Sequence, residues 1–127
     1  YKVTPILTFR GSYSLLRATL HGYKGGRLGS ESAENQSPRN QFYLGSFLAL
    51  PKSFEVAGHA YFAGALPNFN VPSYTRLDLN VVWKGLENTE LSIAGQNLLG
   101  THTEFGDLEG PVNAVSRSIY GKITWRF

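Results

Sequence analysis

The chain predicts an all-β fold, an antiparallel up-and-down meander of about six long strands. Three observations predict it. Apolar and polar residues alternate with period two over most of the chain, which puts alternate side chains on opposite faces of a strand. The apparent strands run well past the five or six residues usual in globular domains, toward the ~9–11 that cross a bilayer at a tilt. The links between them alternate between short and long, as in a membrane barrel with short turns at one rim and loops at the other.

The terminal stretch is the clearest element. In Arg117–Phe127, Ile119, Gly121, Ile123, Trp125 and Phe127 form one set, and Ser118, Tyr120, Lys122, Thr124 and Arg126 the other. The aromatic residues sit at the very end, with no polar tail behind them.

From the start of the chain, Tyr1–Thr4 reads as the tail of an earlier strand, followed by a turn at Pro5. From Leu7 to about Leu20 a long strand is expected, with Leu7, Phe9, Gly11, Tyr13 and Leu15 on its apolar face. Residues 22–38 are polar and rich in Gly and Ser, and read as a long loop. A second strand, Arg39–Leu50, turns at Pro51–Ser53 into a third, Phe54–Ala65. The segment Leu66–Ser73, with two prolines, is a loop of medium length.

The fourth strand, Tyr74–Lys84, alternates most cleanly. Thr75, Leu77, Leu79, Val81 and Trp83 oppose Tyr74, Arg76, Asp78, Asn80, Val82 and Lys84. A turn at Gly85–Asn88 leads to a fifth strand, Thr89–Asn97. Leu98–Ser116 reads as one long loop before the terminal strand.

On this register Phe9, Phe54, Trp83, Trp125 and Phe127 share the apolar face near the short-turn end, as an aromatic girdle at a membrane interface would. The plain alternative is that they fill a soluble core. The opposite face carries Arg10, Glu55, His59, Arg76, Asp78, Asn80, Glu90, Gln96, Lys122 and Arg126, both signs of charge on one wall, as for a wet or plugged lumen.

Composition agrees and excludes other classes. The 127 residues hold 14 Gly, 8 Phe, 7 Tyr and 2 Trp, a β-rich mixture. Without cysteine there is neither a disulfide framework nor a thiolate metal site. The net charge of +3 is dispersed, which argues against nucleic acid as a partner. No apolar run approaches the ~20 residues of a membrane helix. The chain begins at Tyr1 with no signal-type leader, so either a leader has been removed or the chain is part of something longer.

Three stretches together carry a resemblance: Pro72–Asn80 (PSYTRLDLN), Leu91–Leu99 (LSIAGQNLL) and Arg117–Phe127 (RSIYGKITWRF). In order and spacing they resemble the carboxyl-terminal end of TonB-dependent outer-membrane receptors. The likeness covers Gln41–Phe127 and extends to the first strand. It implies that residues 1–127 are the carboxyl-terminal portion of a larger barrel whose remaining strands and plug lie elsewhere. It implies energy-coupled uptake of a scarce solute, such as a siderophore or another metal complex. The implied partners are outer-membrane lipid, the outer-membrane assembly machinery, and TonB acting through the absent plug. The implied location is the bacterial outer membrane, with the carboxyl terminus on the periplasmic side. The resemblance also implies an assembly signal at Ile119, Ile123, Trp125 and Phe127, residues that would face lipid in any case. The identity of the solute is not legible.

No catalytic constellation is present, and the chain is not read as an enzyme. His21, His59 and His102 fall on three segments, and the Gly-rich stretch 22–29 lacks the Gly-Lys-Ser/Thr ending of a phosphate loop. His102 and Glu104, two apart in a loop, give a weak metal hint, and at Asp107 and Glu109, beside Gly106 and Gly110, a calcium site is weighed against a solvated turn. No cofactor or metal is expected. Residues with the reach to touch a ligand from the loops are Tyr23, Arg27, Phe69, His102 and Phe105, set against a plug-packing or solvated role for each. A different class of function, a soluble β-sandwich that presents aromatic rings to carbohydrate, remains the alternative.

Overall fold

The structure, a computed structural model, describes residues 1–17, 37–105 and 113–127. Its main feature is one antiparallel sheet of seven strands. These are β1 (Lys2–Thr4), β2 (Leu7–Leu15), β3 (Asn40–Leu50), β4 (Phe54–Ala63), β5 (Tyr74–Leu86), β6 (Thr89–Gln96) and, after two short strands, β9 (Ser118–Trp125). Their spatial order is β1-β2-β3-β4-β5-β6-β9, an open meander in which each long strand lies beside its sequence neighbour.

The register fixes the faces. Tyr13 pairs with Phe42, Phe42 with Phe62, and Phe62 with Thr75. Leu7, Leu48, Val56, Val81, Ile93 and Gly121 follow one another along a second row. Leu50, Phe54, Trp83, Leu91 and Ile123 form a third. Leu7, Tyr13, Thr75, Val81, Trp83, Gly121 and Ile123 in these rows belong to the alternating apolar sets read from the sequence. A slip of one residue in any strand would have turned its whole set to the other face.

Tight turns are built by residues that tolerate the left-handed region. Lys52 and Ser53 (φ 62° and 63°) close the β3–β4 hairpin, and Asn88 (φ 59°) closes β5–β6. Between β4 and β5, Pro67–Phe69 make one 3-10 turn that ends at Asn70, again left-handed at φ 53°.

Two expectations are corrected. The stretch 98–116 is not a plain loop: His102–Phe105 (β7) pairs with Asn113–Val115 (β8) in a small antiparallel hairpin. Strands this short cannot display a readable alternation. The β5 strand also runs on to Leu86 and so absorbs Gly85, which the sequence places in a turn. Gly85 has a packing role there, because a Cβ would collide with the Trp83 indole that lies over it.

No second layer covers the main sheet among the described residues. Only two hydrophobic side chains there are buried, Ala63 and Val71, whereas a 127-residue soluble domain would bury most of its large apolar side chains. The apolar face is open instead, with Ile93 64%, Ile119 74% and Ile123 75% exposed. Among the described residues no helix is long and apolar enough to cross a membrane.

Candidate functional site

The two faces of the sheet have different chemistry. On the apolar face, Phe54 stacks on Trp83 with ring centroids 6.0 Å apart, and the indole Nε1 donates to the Lys52 carbonyl at 3.2 Å. That bond draws the polar edge of the ring toward the β3–β4 turn. Trp125 meets Phe127 edge-on at 6.0 Å, and both are open on the outside. Phe9 lies on β2 opposite Ser46. Phe69 sits in the 3-10 turn, away from these rings in register, and is half-buried.

The polar face is organised around β5, because alternation places Tyr74, Arg76 and Asp78 side by side on it. Arg76 Nε is 3.0 Å from both Asp78 carboxylate oxygens, and its Nη2 donates to Oδ2 at 2.6 Å. The same guanidinium lies 5.3 Å over the Tyr61 ring, and its Nη1 is 3.8 Å from Glu104 Oε1 on β7. A planar fork both pairs with carboxylates and stacks on rings, which suits Arg to this place better than Lys.

Asn97 ties this wall to the β7–β8 hairpin. It is 1% exposed and left-handed at φ 54°, just past the end of β6. Its backbone N–H donates to Asp78 Oδ1 at 2.9 Å, and its Nδ2 donates to the Val115 carbonyl at 2.7 Å. Its Oδ1 is 2.9 Å from His102 Nδ1, while His102 Nε2 is 2.8 Å from Glu104 Oε1. The His102 ring also stacks on Tyr74 at 4.2 Å.

A second cluster lies further along the wall. Tyr43 Oη is 2.9 Å from His59 Nδ1, and the Tyr43 and Tyr61 rings are 5.0 Å apart. Gly45 makes room, since a Cβ there would collide with the Tyr43 hydroxyl. Beside this pair is an open hollow lined in part by Thr8, Arg10, Phe47 and His59. Toward the short turns, Lys84 Nζ pairs with Glu55 at 2.8 Å.

Of the loop residues named from sequence, His102 meets Asn97 directly and also contacts Glu104 and Tyr74. Phe69 does not join it. Phe105 ends β7 and is described by its backbone alone, and Tyr23 and Arg27 lie outside the described residues, as do His21, Asp107 and Glu109. Sequence reasoning did not single out Asn97, Tyr43, Tyr61 or Tyr74. Their signal was present only as membership of the polar set, and for Asn97 as part of the Gly-Gln-Asn-Leu-Leu stretch. Among the described residues, no three His, Asp or Glu side chains converge in a way that could hold a metal ion.

No family model matches the chain, and no curated protein or solved structure does either.

Proposed function

We propose that the chain is a wall segment of a transmembrane β-barrel in the bacterial outer membrane, the carboxyl-terminal part of a TonB-dependent receptor that takes up a scarce solute. The observation that carries the membrane reading is the open apolar face of a single sheet, bounded by aromatic rows at both ends. Phe54 and Trp83 lie near the short turns, and Tyr13, Phe42 and Phe62 line up across three strands near the long links. Phe54 and Phe62 are eight residues apart on β4. At ~3.3 Å per residue that is about 26 Å along the strand, or about 20 Å along the membrane normal at a ~40° tilt, close to the ~25 Å apolar band of outer-membrane barrels.

A second regularity supports a tilted wall. From Phe9 on β2, through Phe54 and Trp83, to Trp125 on β9, the aromatic line near the short turns descends six register positions over five strand steps. Strands tilted at ~40° and spaced ~4.8 Å apart need a stagger of roughly 1.2 residues per strand to stay at one depth. On this reading the outer edges of β1 and β9 pair with further barrel strands, because an open edge in lipid leaves backbone groups without partners. The polar face then lines the lumen, and transport, not bond chemistry, is the activity.

The receptor part of the reading rests on the three resembling stretches. Fractionation of cells tests the membrane part: the native protein should stay with outer membranes and need detergent for release. Recovery in the soluble fraction overturns it. The reading frame upstream of Tyr1 tests the receptor part, and should encode a plug and a TonB box. A barrel gene without them would leave a passive pore.

A further inference from the structure

We infer that the hollow on the polar face between β2 and β4 is a binding site for a small, flat aromatic carboxylate. Its parts belong to this wall alone, so it exists whether or not the sheet lies in a membrane. The pairing register builds it. Arg10 on β2, Gly45 on β3 and His59 on β4 lie side by side in one row, and Phe47 lies beside Ala57 in the next row on the same face. Gly45 has no side chain and Ala57 a short one, so the longer side chains stand around a low floor. The hollow measures about 280 Å³ and opens outward. That is near the lower end of the ~300–1,000 Å³ of small-molecule sites, room for a single ring.

Two features call for a carboxylate. Arg10 is exposed, and among the described residues it has no carboxylate partner. The acids on the neighbouring strands are already engaged: Asp78, next to His59 in the row, with Arg76, and Glu55 with Lys84. The guanidinium fork of Arg10 is therefore left for an anion, and its planar geometry matches a carboxylate. The second feature is the Tyr43–His59 pair. A tyrosine hydroxyl and a neutral imidazole carry two polar hydrogens between them, and the 2.9 Å bond that joins them uses one. Whichever way that bond runs, one hydrogen remains to be donated to an outside acceptor. Phe47 calls for the ring. Its phenyl is 44% exposed on the polar face, and another ring can pack against it edge-on or offset. Phe47 is two residues from Gly45, about 6.6 Å along the strand. A carboxylate held over Gly45 between Arg10 and His59 thus puts a ring bonded directly to it beside Phe47.

The probe is 4-fluorobenzoate, followed by its 19F line width with the protein held in detergent and with micelles alone subtracted. Binding should saturate with a Kd of about 1 mM, as suits a half-open site and so small a ligand. Arg10→Gln should weaken it at least about tenfold, because a charge-assisted bond is lost. Lys122→Gln removes one positive charge from the same face, five strand steps away, and should leave binding unchanged. Phe47→Leu keeps an apolar side chain but loses the ring, and should weaken binding about threefold. Circular dichroism checks that each variant keeps its sheet. Competition uses the native chain and so does not depend on any variant folding. Benzamide has the ring without the charge, and cyclohexanecarboxylate the charge without the flat ring. They should displace the probe less well than benzoate, by about tenfold and about threefold. Absence of saturable binding, competition by either analogue equal to that of benzoate, or a loss in Lys122→Gln equal to that in Arg10→Gln each overturns the inference.

Discussion

Asn97 carries more structure than its size suggests. It places one backbone and two side-chain contacts on three different elements while almost wholly buried. In Asn97→Ala the Val115 carbonyl and the His102 ring lose their partners, and a residue with a Cβ but no amide must hold a left-handed backbone. The expected loss is about 2–4 kcal/mol in urea unfolding in micelles. Asn97→Gly separates the two causes: it relieves the backbone and should recover about 1 kcal/mol of that loss. None of this could be read from the sequence. The alternation put Arg76 and Asp78 on one face, but nothing local says that a residue after β6 will meet Val115.

At the level of elements, the two faces of one strand give opposed expectations. Ile93 stands in the middle of β6 on the open apolar face, and Ala94 beside it points to the polar face. In a membrane, Ile93→Arg should cost about 2–4 kcal/mol, whereas Ala94→Arg should cost under about 1 kcal/mol. In water the contrast would disappear, because Ile93 is already 64% exposed. Unfolding of both variants in lipid vesicles measures the difference. The same alternation is why the long strands were legible. Each holds enough period-two residues to fix its faces, and the pairing register then agrees across all of them. That Tyr13, Phe42 and Phe62 fall in one row was not legible, since a row depends on pairing between strands. The β7–β8 hairpin was missed because its strands span only four and three residues. Phe47 goes against the pattern: it is a 44% exposed phenyl on the polar face, and its neighbours in the sheet do not explain it.

For the whole molecule, the barrel proposed above would carry an assembly signal in its terminal strand, β9. Removal of Phe127 should lower the amount of protein assembled in the outer membrane several-fold, without changing the β-content of what is assembled. Surface labelling of intact cells measures the first and circular dichroism of the extracted protein the second. Unchanged surface levels would remove the assembly role of the terminal strand and leave the lipid-facing role intact. Architecture was readable at this scale because a wall with one oily and one wet face is written into every strand. What the proposed barrel would carry was not readable, because the residues of the long links carry no periodic signal.

The Asn97–Val115 bond has a consequence for the order of folding. The β3–β4 and β5–β6 neighbours are joined by tight turns, but β9 must find β6 after the excursion through β7 and β8. Closing a link of that length costs about 2–3 kcal/mol of chain entropy. Once Asn97 holds Val115, only Ser116 and Arg117 separate the tie from Ser118, which pairs with Gln96, the residue before Asn97. The search for the last register then becomes local, and the terminal strand can zip from that point toward Trp125. A chain that lacks this tie would be expected to pair β9 with β6 more slowly.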